Sequence, residues 1–383
     1  MRKFELKYGG VTLFFGPGAV EKIGDFVRHF ERAVIASGRS SAAVSGALDD
    51  VLRLLGNLGI KHTVFSNITP NPWAAQAEEL ARAVWEEGAD AVVAIGGGSV
   101  IDAAKLATIV AASGGRVSDY RTGARRAKRA VPLIVVNLTH GTGSEVNKWA
   151  VVTFENTREK VGIYARYPDV SVDDPRYTLT LDRRQSICVS LDALYHAYES
   201  ATGRLSNPLT LTLAESAAAT ISRSLPSLMN DLKNLELRYE MLYASMIAGI
   251  AIDMSRVHVL HAVEHVLSGL EPRLPHGCGL GMLGPRAVYY THRADPGTSA
   301  RVLRALAPNI KPSPEYAKDA ERAIARFQEE IGFRERLGDY GFSERDVKAL
   351  AERVLATSRG TLESNAPFQV TSEVVADIIT SAL

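Results

Sequence analysis

The stretch HVLHAVEHVLSGLEPRLPHG (258–277) holds four of the chain's nine histidines. On a helix, His258, His261 and His265 fall at i, i+3 and i+7 and share one face. His276 follows after the break LEPRLP and precedes Gly277. Upstream, VSLDALYHAYES (189–200) sets Asp192 and His196 at i and i+4, again on one helical face. One carboxylate and up to four imidazoles from three segments make a set of nitrogen and oxygen donors. That set suits a divalent metal, zinc or ferrous iron. A lone histidine on such a face is ordinarily a satisfied core or surface group, and spacing alone does not choose which three histidines bind.

A second group of residues could hold phosphate. ADAVVAIGGGSVIDAAKLA (89–107) places Gly96, Gly97, Gly98 and Ser99 between an apolar run and a helical one. Backbone without Cβ atoms approaches a pyrophosphate closely, and a helix start offers free N–H groups and the positive end of the dipole. The pattern is not G-x-G-x-x-G, and a tight strand–helix turn would look the same. LTHGTGSE (138–145) raises the odds, since it too follows an apolar run and brings the hydroxyls of Thr139, Thr142 and Ser144. Two such loops at the ends of parallel strands would line one nucleotide crevice. In SGRSS (37–41) an acid would hold a ribose 2′-hydroxyl. Gly38, Arg39 and Ser40 supply a cation and a hydroxyl instead, which favours NADP(H) over NAD(H).

Positioning these groups takes two kinds of element. RAVIAS (32–37), HTVFS (62–66), DAVVAI (90–95) and VPLIVVNL (131–138) read as strands, most of them buried. NPWAAQAEELARAVWEEG and SVIDAAKLATIVAAS between them carry helical periodicity, and KYGGVTLFFGPGAV reads as a hairpin or edge strand. Alternation of this kind predicts a Rossmann-like parallel sheet wrapped by helices over residues 1–177. From 178 to 383 the strand pattern fades, and QSICVSLDALYHAYESATG, LTLTLAESAAATISRSLPSLMN and LRYEMLYASMIAGIA all favour helix. SERDVKALAERVLATSRG opens on a capping-box pattern, Ser343 through Asp346, and is expected to stop at Gly360. The expectation is an α/β dinucleotide-binding domain, an all-α metal-binding domain, and a cleft between them.

Composition excludes other classes. The chain has 383 residues, 46% of them hydrophobic, enough for two packed domains. A formal net charge of +1 gives no global field toward nucleic acid or an anionic membrane. The basic run RTGARRAKRA (121–130) reads as a solvated loop. MRKFELKYGG has no signal-peptide core, and no uninterrupted apolar stretch approaches the length of a membrane span. Cys188 and Cys278 make no disulfide framework and suggest a reducing compartment, so a soluble cytoplasmic protein is expected.

GGGSVIDAAK, THGTGSEV, LDALYHAYES, HAVEH and PHGCGLGML occur in an order that resembles the iron-dependent alcohol dehydrogenase family. Weaker similarity runs from the N-terminal hairpin to NAPFQVTSEVVADI, nearly the whole chain. The resemblance implies metal ligands at Asp192, His196, His261 and His276, with Fe(II) favoured and Zn(II) also suited. It makes His265 a proton relay beside the nicotinamide and leaves His258 outside the ligand set. It implies cofactor contacts at Asn71, Gly97, Gly98, Ser99, Asp102, Thr139, Thr142 and Lys160, and a homodimer or larger assembly. Asn137 and Leu138 depart from the Pro-Thr common in the family, and Met254, Arg256 and His258 stand where small or neutral residues are usual. Arg256 could meet a substrate carboxylate or phosphate, or close a salt bridge with Asp253 or Glu264. Trp149 matches a position that shapes the substrate pocket, or else is an aromatic filler beside the sheet.

The implied reaction is hydride transfer between a nicotinamide and an alcohol whose oxygen is polarised by the metal, reversible to an aldehyde or ketone. A lyase resembling dehydroquinate synthase is the alternative of another class, although its ligand set usually includes Glu. A hydroxyacid or maleylacetate reductase is the alternative within the superfamily, and a nucleotide-binding protein without catalysis is the third.

Overall fold

The computed structural model describes all 383 residues, which divide into two compact units. The first comprises Met1–Thr139, Gly143–Leu181 and Lys233–Leu242, and the second His140–Thr142, Asp182–Leu232 and Tyr243–Leu383.

In the first unit, β1 (Phe4–Tyr8) and β2 (Val11–Phe15) form the expected antiparallel hairpin. The sheet continues through β3 (Arg32–Gly38), β4 (Lys61–Ile68), β5 (Ala91–Gly96), β6 (Leu133–Asn137) and β9 (Val170–Asp173). Its order is β1-β2-β9-β6-β5-β3-β4, and every pairing beyond the first hairpin is parallel. β5 and β6 are buried throughout, as unbroken apolar runs in a parallel sheet must be. β4 is one of the sheet's two edges and stays largely exposed, so HTVFS is a strand but not a buried one. Period-2 alternation splits β6 between two cores. Val135 faces Leu80, Ile101 and Leu106 on one side, while Ile134 faces Ile23, Val51 and Leu55 on the other. The helices on these faces include α1 (Ala47–Asn57), α2 (Ala74–Glu86) and α3 (Gly98–Ser113). α3 is buried nearly all round, which explains why its sequence has no polar face. A separate antiparallel ribbon, β7 (Trp149–Phe154) with β8 (Glu159–Tyr164), packs against α3.

The second unit is helical. Asp182 caps α4 (Arg183–Thr202), its carboxylate accepting from the Gln185 N–H at 2.7 Å, and Asn207 caps α5 (Pro208–Asn230). α6 (Leu235–Ser255) turns through 102° into α7 (Val259–Leu270), with Arg256 left-handed at φ 62° in the bend. α8 (His276–Ala294) follows. No single helix is long and apolar enough to cross a membrane. The capping box at Ser343 forms, but its helix ends at Thr357, and Gly360 lies inside the next one, Arg359–Asn365. Glycine stops a helix by going left-handed, and Gly360 is not among the glycines at positive φ.

Two features depart from, or were invisible to, the sequence reading. Cys188 on α4 and Cys278 on α8 are joined as a disulfide, so the inference of a reducing compartment from unpaired thiols falls. The bond is possible because α8 is rich in glycine where it meets α4. A Cβ on Gly277 would sit 1.9 Å from the Cys188 carbonyl oxygen, and one on Gly284 1.9 Å from the Tyr195 hydroxyl. Gly277→Ala should therefore push the helices apart and destabilise the protein by about 1–3 kcal/mol, as overpacking does. Denaturant titration checks this, and an unshifted midpoint would contradict the close approach.

Glu145, at the end of THGTGSE, is wholly buried with neither carboxylate oxygen hydrogen-bonded. Burial lifts its pKa from 4.5 to about 7, against the pull of Lys105 and with a smaller push from Asp102. Its raised neighbour Asp173 is subject to the same burial and to repulsion from Glu145. The folded state thus holds a proton on Glu145 that the unfolded chain releases near 4.5, so this group's contribution falls as pH rises from there through about 7. Glu145→Gln should flatten the pH dependence of stability between about pH 5 and about pH 8. An unchanged slope in paired urea titrations would refute it.

Candidate active site

Asp192 and His196 lie one turn apart on α4, His261 sits in the first turn of α7, and His276 is the first residue of α8. The three imidazoles turn the same ring nitrogen inward. Their Nε2 atoms stand 3.4 Å (His196), 3.8 Å (His261) and 3.7 Å (His276) from Asp192 Oδ1. One ligand atom from each residue lies within 4.8 Å of all the others. Four bonds near 2.1 Å arranged tetrahedrally give ligand-to-ligand edges of about 3.4 Å, so the spacing fits one cation. The chemistry fits as well: Asp192 Oδ1 and His261 Nε2 are buried without a hydrogen-bond partner, the signature of a group waiting for an ion. Three imidazoles and one carboxylate are donors that Fe(II) and Zn(II) both accept.

Electrostatics follows the same geometry. Burial pushes the Asp192 carboxyl up, but the three imidazoles outweigh it and hold the pKa at about 2. Burial lowers His261, and the Asp192 and Glu199 carboxylates reverse this to about 9. His196 is lowered chiefly by burial.

Each ring is also held from behind, by groups the sequence reading did not single out. His196 Nδ1 is 3.3 Å from the Gly141 carbonyl oxygen. His261 Nδ1 is 2.7 Å from Glu199 Oε2. His276 Nδ1 is hydrogen-bonded to Glu264 Oε2. Glu199 does more. It accepts the backbone N–H groups of His258 at 2.9 Å and Leu260 at 2.7 Å, and so caps α7 as it leaves the bend. His258, set aside in sequence as an outsider, is wholly buried, with Nδ1 2.9 Å from Glu199 Oε1 and Nε2 3.0 Å from the Thr202 hydroxyl. Burial opposes ionisation of Glu199, yet these two histidines hold its pKa well below the usual range. One cue was available: Glu199 lies seven residues after Asp192 on the same face of α4.

His265 stands outside the four-atom cluster, half-buried, with its ring 5.3 Å from His276 and 6.4 Å from His261. Arg256 is exposed at the bend and Met254 half-buried in the last turn of α6. Of the partners expected for Arg256, Glu264 is engaged by His276. A further cluster, Cys188, Cys278 and Glu335, is closed to metal by the disulfide.

The phosphate-type residues gather in the first unit. Following the strands β4-β3-β5-β6-β9, chain order reverses direction between β3 and β5, the switch point outside which doubly wound sheets bind ligands. Gly38 ends β3 with Arg39 and Ser40 after it, Gly97, Gly98 and Ser99 follow β5, and Thr139 follows β6. Arg39 and Ser40 are exposed. The last two loops touch, since a Cβ on Gly97 would lie 2.8 Å from the Thr139 side chain. Gly97 caps α3 and Gly98 begins it, leaving the helix start facing this corner. Asn71, left-handed at φ 50°, accepts from Lys160 Nζ at 2.9 Å, and both are buried. Thr142 is half-buried and falls in the second unit.

Asp102 and Ser144 lie together behind the loop. Asp102 accepts from the Ser144 hydroxyl and from the Val151 N–H at 2.8 Å. Lys105, fully buried, donates to Ser144 Oγ at 2.6 Å and to the Trp149 carbonyl at 2.7 Å. Both oxygens of interest therefore point into a polar knot that ties α3 to the threonine loop and β7, because a buried lysine and aspartate need partners. They shape the loop from behind. Trp149 heads β7 and meets Tyr164 edge-on, ring centroids 5.8 Å apart.

Two family profiles cover this chain. One described as "Iron-containing alcohol dehydrogenase" matches residues 11–175, and one described as "Fe-containing alcohol dehydrogenase family, C-terminal" matches 186–383. The long-chain primary alcohol dehydrogenase AdhA of Thermoanaerobacter ethanolicus is 35% identical over 98% of this chain and 96% of its own. The 1,3-propanediol dehydrogenase of Klebsiella pneumoniae is 31% identical over 89% and 90%. Among solved structures, an archaeal alcohol dehydrogenase from a Red Sea brine pool superposes with a TM-score of 0.91 at 26% identity, covering 100% of this chain and 99% of that one. Sequence and fold agree from end to end, and the chain belongs to the iron-containing alcohol dehydrogenase family.

Proposed function

We propose that this chain is a metal-dependent, NAD(P)-linked alcohol dehydrogenase that also runs as an aldehyde or ketone reductase. Its ligands are Asp192, His196, His261 and His276, with Fe(II) favoured and Zn(II) suited to the same donors. The observation that carries the reading is the convergence of three Nε2 atoms on Asp192 Oδ1, two of these buried atoms lacking any other partner. When bound, a divalent ion polarises an alcohol or carbonyl oxygen, and a nicotinamide exchanges hydride with the neighbouring carbon.

The chain's own residues do the rest. Residues 1–177 serve as the dinucleotide-binding domain. Gly97, Gly98 and Ser99 present the α3 N-terminus to the diphosphate, with Thr139, Thr142, Asn71 and Lys160 as further contacts. Residues 178–383 serve as the metal-binding catalytic domain. His265, half-buried, passes the hydroxyl proton between substrate and solvent. Trp149, Met254 and Arg256 bound the substrate pocket. The named relatives act on primary alcohols and a diol, which points to primary alcohols as the substrate class here.

Loaded anaerobically with Fe(II) or Zn(II), the protein should oxidise primary alcohols of short and long chain with net formation of reduced cofactor. Absence of turnover across both metals and both cofactors would sink the proposal, and net cofactor turnover excludes a lyase that uses nicotinamide only transiently. NADP should be preferred to NAD, because Arg39 stands where an acid would select the ribose hydroxyl. A roughly tenfold preference for NAD would overturn that choice. His265→Ala should lower kcat by about 10²- to 10⁴-fold with metal content unchanged. Should the variant come out metal-free, His265 is a ligand rather than a relay.

A further inference from the structure

The three imidazoles of the cluster are not equally well held. His196 and His261 lie within helices and are almost wholly buried, whereas His276 opens α8 directly after Leu274-Pro275 and its side chain is 21% exposed. A side chain at a helix's first residue has fewer neighbours to fix its rotamer. Its Nδ1 is hydrogen-bonded to Glu264 from the facing helix α7. We infer that Glu264 is a positioning residue for the metal centre. It fixes the His276 ring with Nε2 turned to the other three ligand atoms and makes that imidazole a stronger donor. The inference rests on the metal reading given under Proposed function.

Three observations support a role in the site rather than in the fold. Glu264 sits in the middle of α7, where the helix already uses the backbone N–H groups, so it has no capping duty of the kind Glu199 performs. It is wholly buried, a costly place for a carboxylate, and it is hydrogen-bonded to an imidazole of the cluster. Finally, α8 makes room for it: a Cβ on Gly279 would lie 2.8 Å from Glu264 Cγ, so glycine there lets the carboxylate reach past the helix to Nδ1. A carboxylate behind a metal-bound imidazole sets its tautomer and orientation and raises its basicity. Two of the three rings, His261 and His276, have this arrangement, while His196 uses a carbonyl oxygen.

The test compares full-length wild type with Glu264→Ala and Glu264→Gln. Each is loaded anaerobically with Fe(II), and separately with Co(II) as a spectroscopic probe. Metal release into a chelator should be about 10- to 100-fold faster for Glu264→Ala. Its Co(II) visible spectrum should shift, while the melting temperature of the metal-free protein stays close to that of metal-free wild type. Glu264→Gln keeps an acceptor for Nδ1–H and should recover most of the retention. Wild-type release kinetics in Glu264→Ala would overturn the inference. So would a metal-free Glu264→Ala protein destabilised as much as the loaded one with no rescue by glutamine, since that marks a purely structural residue. If wild type itself takes up no divalent ion, the dehydrogenase reading fails first and this one with it, a result distinguishable from both others.

Discussion

One buried oxygen, Asp192 Oδ1, faces three imidazole nitrogens at 3.4–3.8 Å with no proton donor satisfying it. A carboxylate removed from water is costly unless opposite charge is close, so the surrounding structure must both supply that charge and prevent the rings from turning away. Turning away would be easy. A free imidazole can hydrogen-bond through either nitrogen, and only an engaged Nδ1 commits Nε2 to the centre. Each ring here has its Nδ1 engaged, and the groups that engage it come from the Gly141 loop, α4 and α7.

This requirement explains local features that look unrelated in sequence. The 102° bend between α6 and α7 delivers His261 to α4, and the exposed helix start it creates is stabilised by Glu199, which also orients His261. The glycines at 277, 279, 281 and 284 bring α8 against its neighbours: a Cβ at each would collide, successively with Cys188, Glu264, Leu191 and Tyr195. Side chains at those places would hold His276 away from Asp192. Gly141 follows the same rule, since a Cβ there would press on Val189 and Asp192. Close helix approach and convergent ligands are thus one constraint seen from two sides.

Part of the cluster was legible because helical periodicity is strict: i and i+4 on one helix face bring Asp192 and His196 together whatever the surroundings. The parallel sheet was legible for a similar reason, since AVVAIG and LIVVN leave no polar face to expose. The outer carboxylates were not. Glu199 and Glu264 sit among apolar residues exactly as solvated helix acids would, and only tertiary structure turns them inward. Ser144 shows the converse case. A hydroxyl in a glycine loop reads as a ligand donor, but a buried lysine 39 residues upstream claims it. The disulfide was hidden by a separation of 90 residues, closed only because glycine lets α8 reach α4.

The first unit applies a different logic to its own ligand. Its cofactor candidates are mostly backbone groups and short hydroxyl side chains at the ends of β3, β5 and β6, supported from below by the polar knot of Asp102, Lys105 and Ser144. Under the function proposed above, such a surface would recognise a diphosphate through donors that every dinucleotide shares. Discrimination between cofactors must then come from what projects beyond that surface, and after β3 the charged side chain is Arg39. On the proposed reading, the loops and the His/Asp cluster would stay fixed while preference for one cofactor changed at a single exposed position. The His/Asp cluster has no such freedom: its four side chains, their supports and the glycines that admit them must all change together.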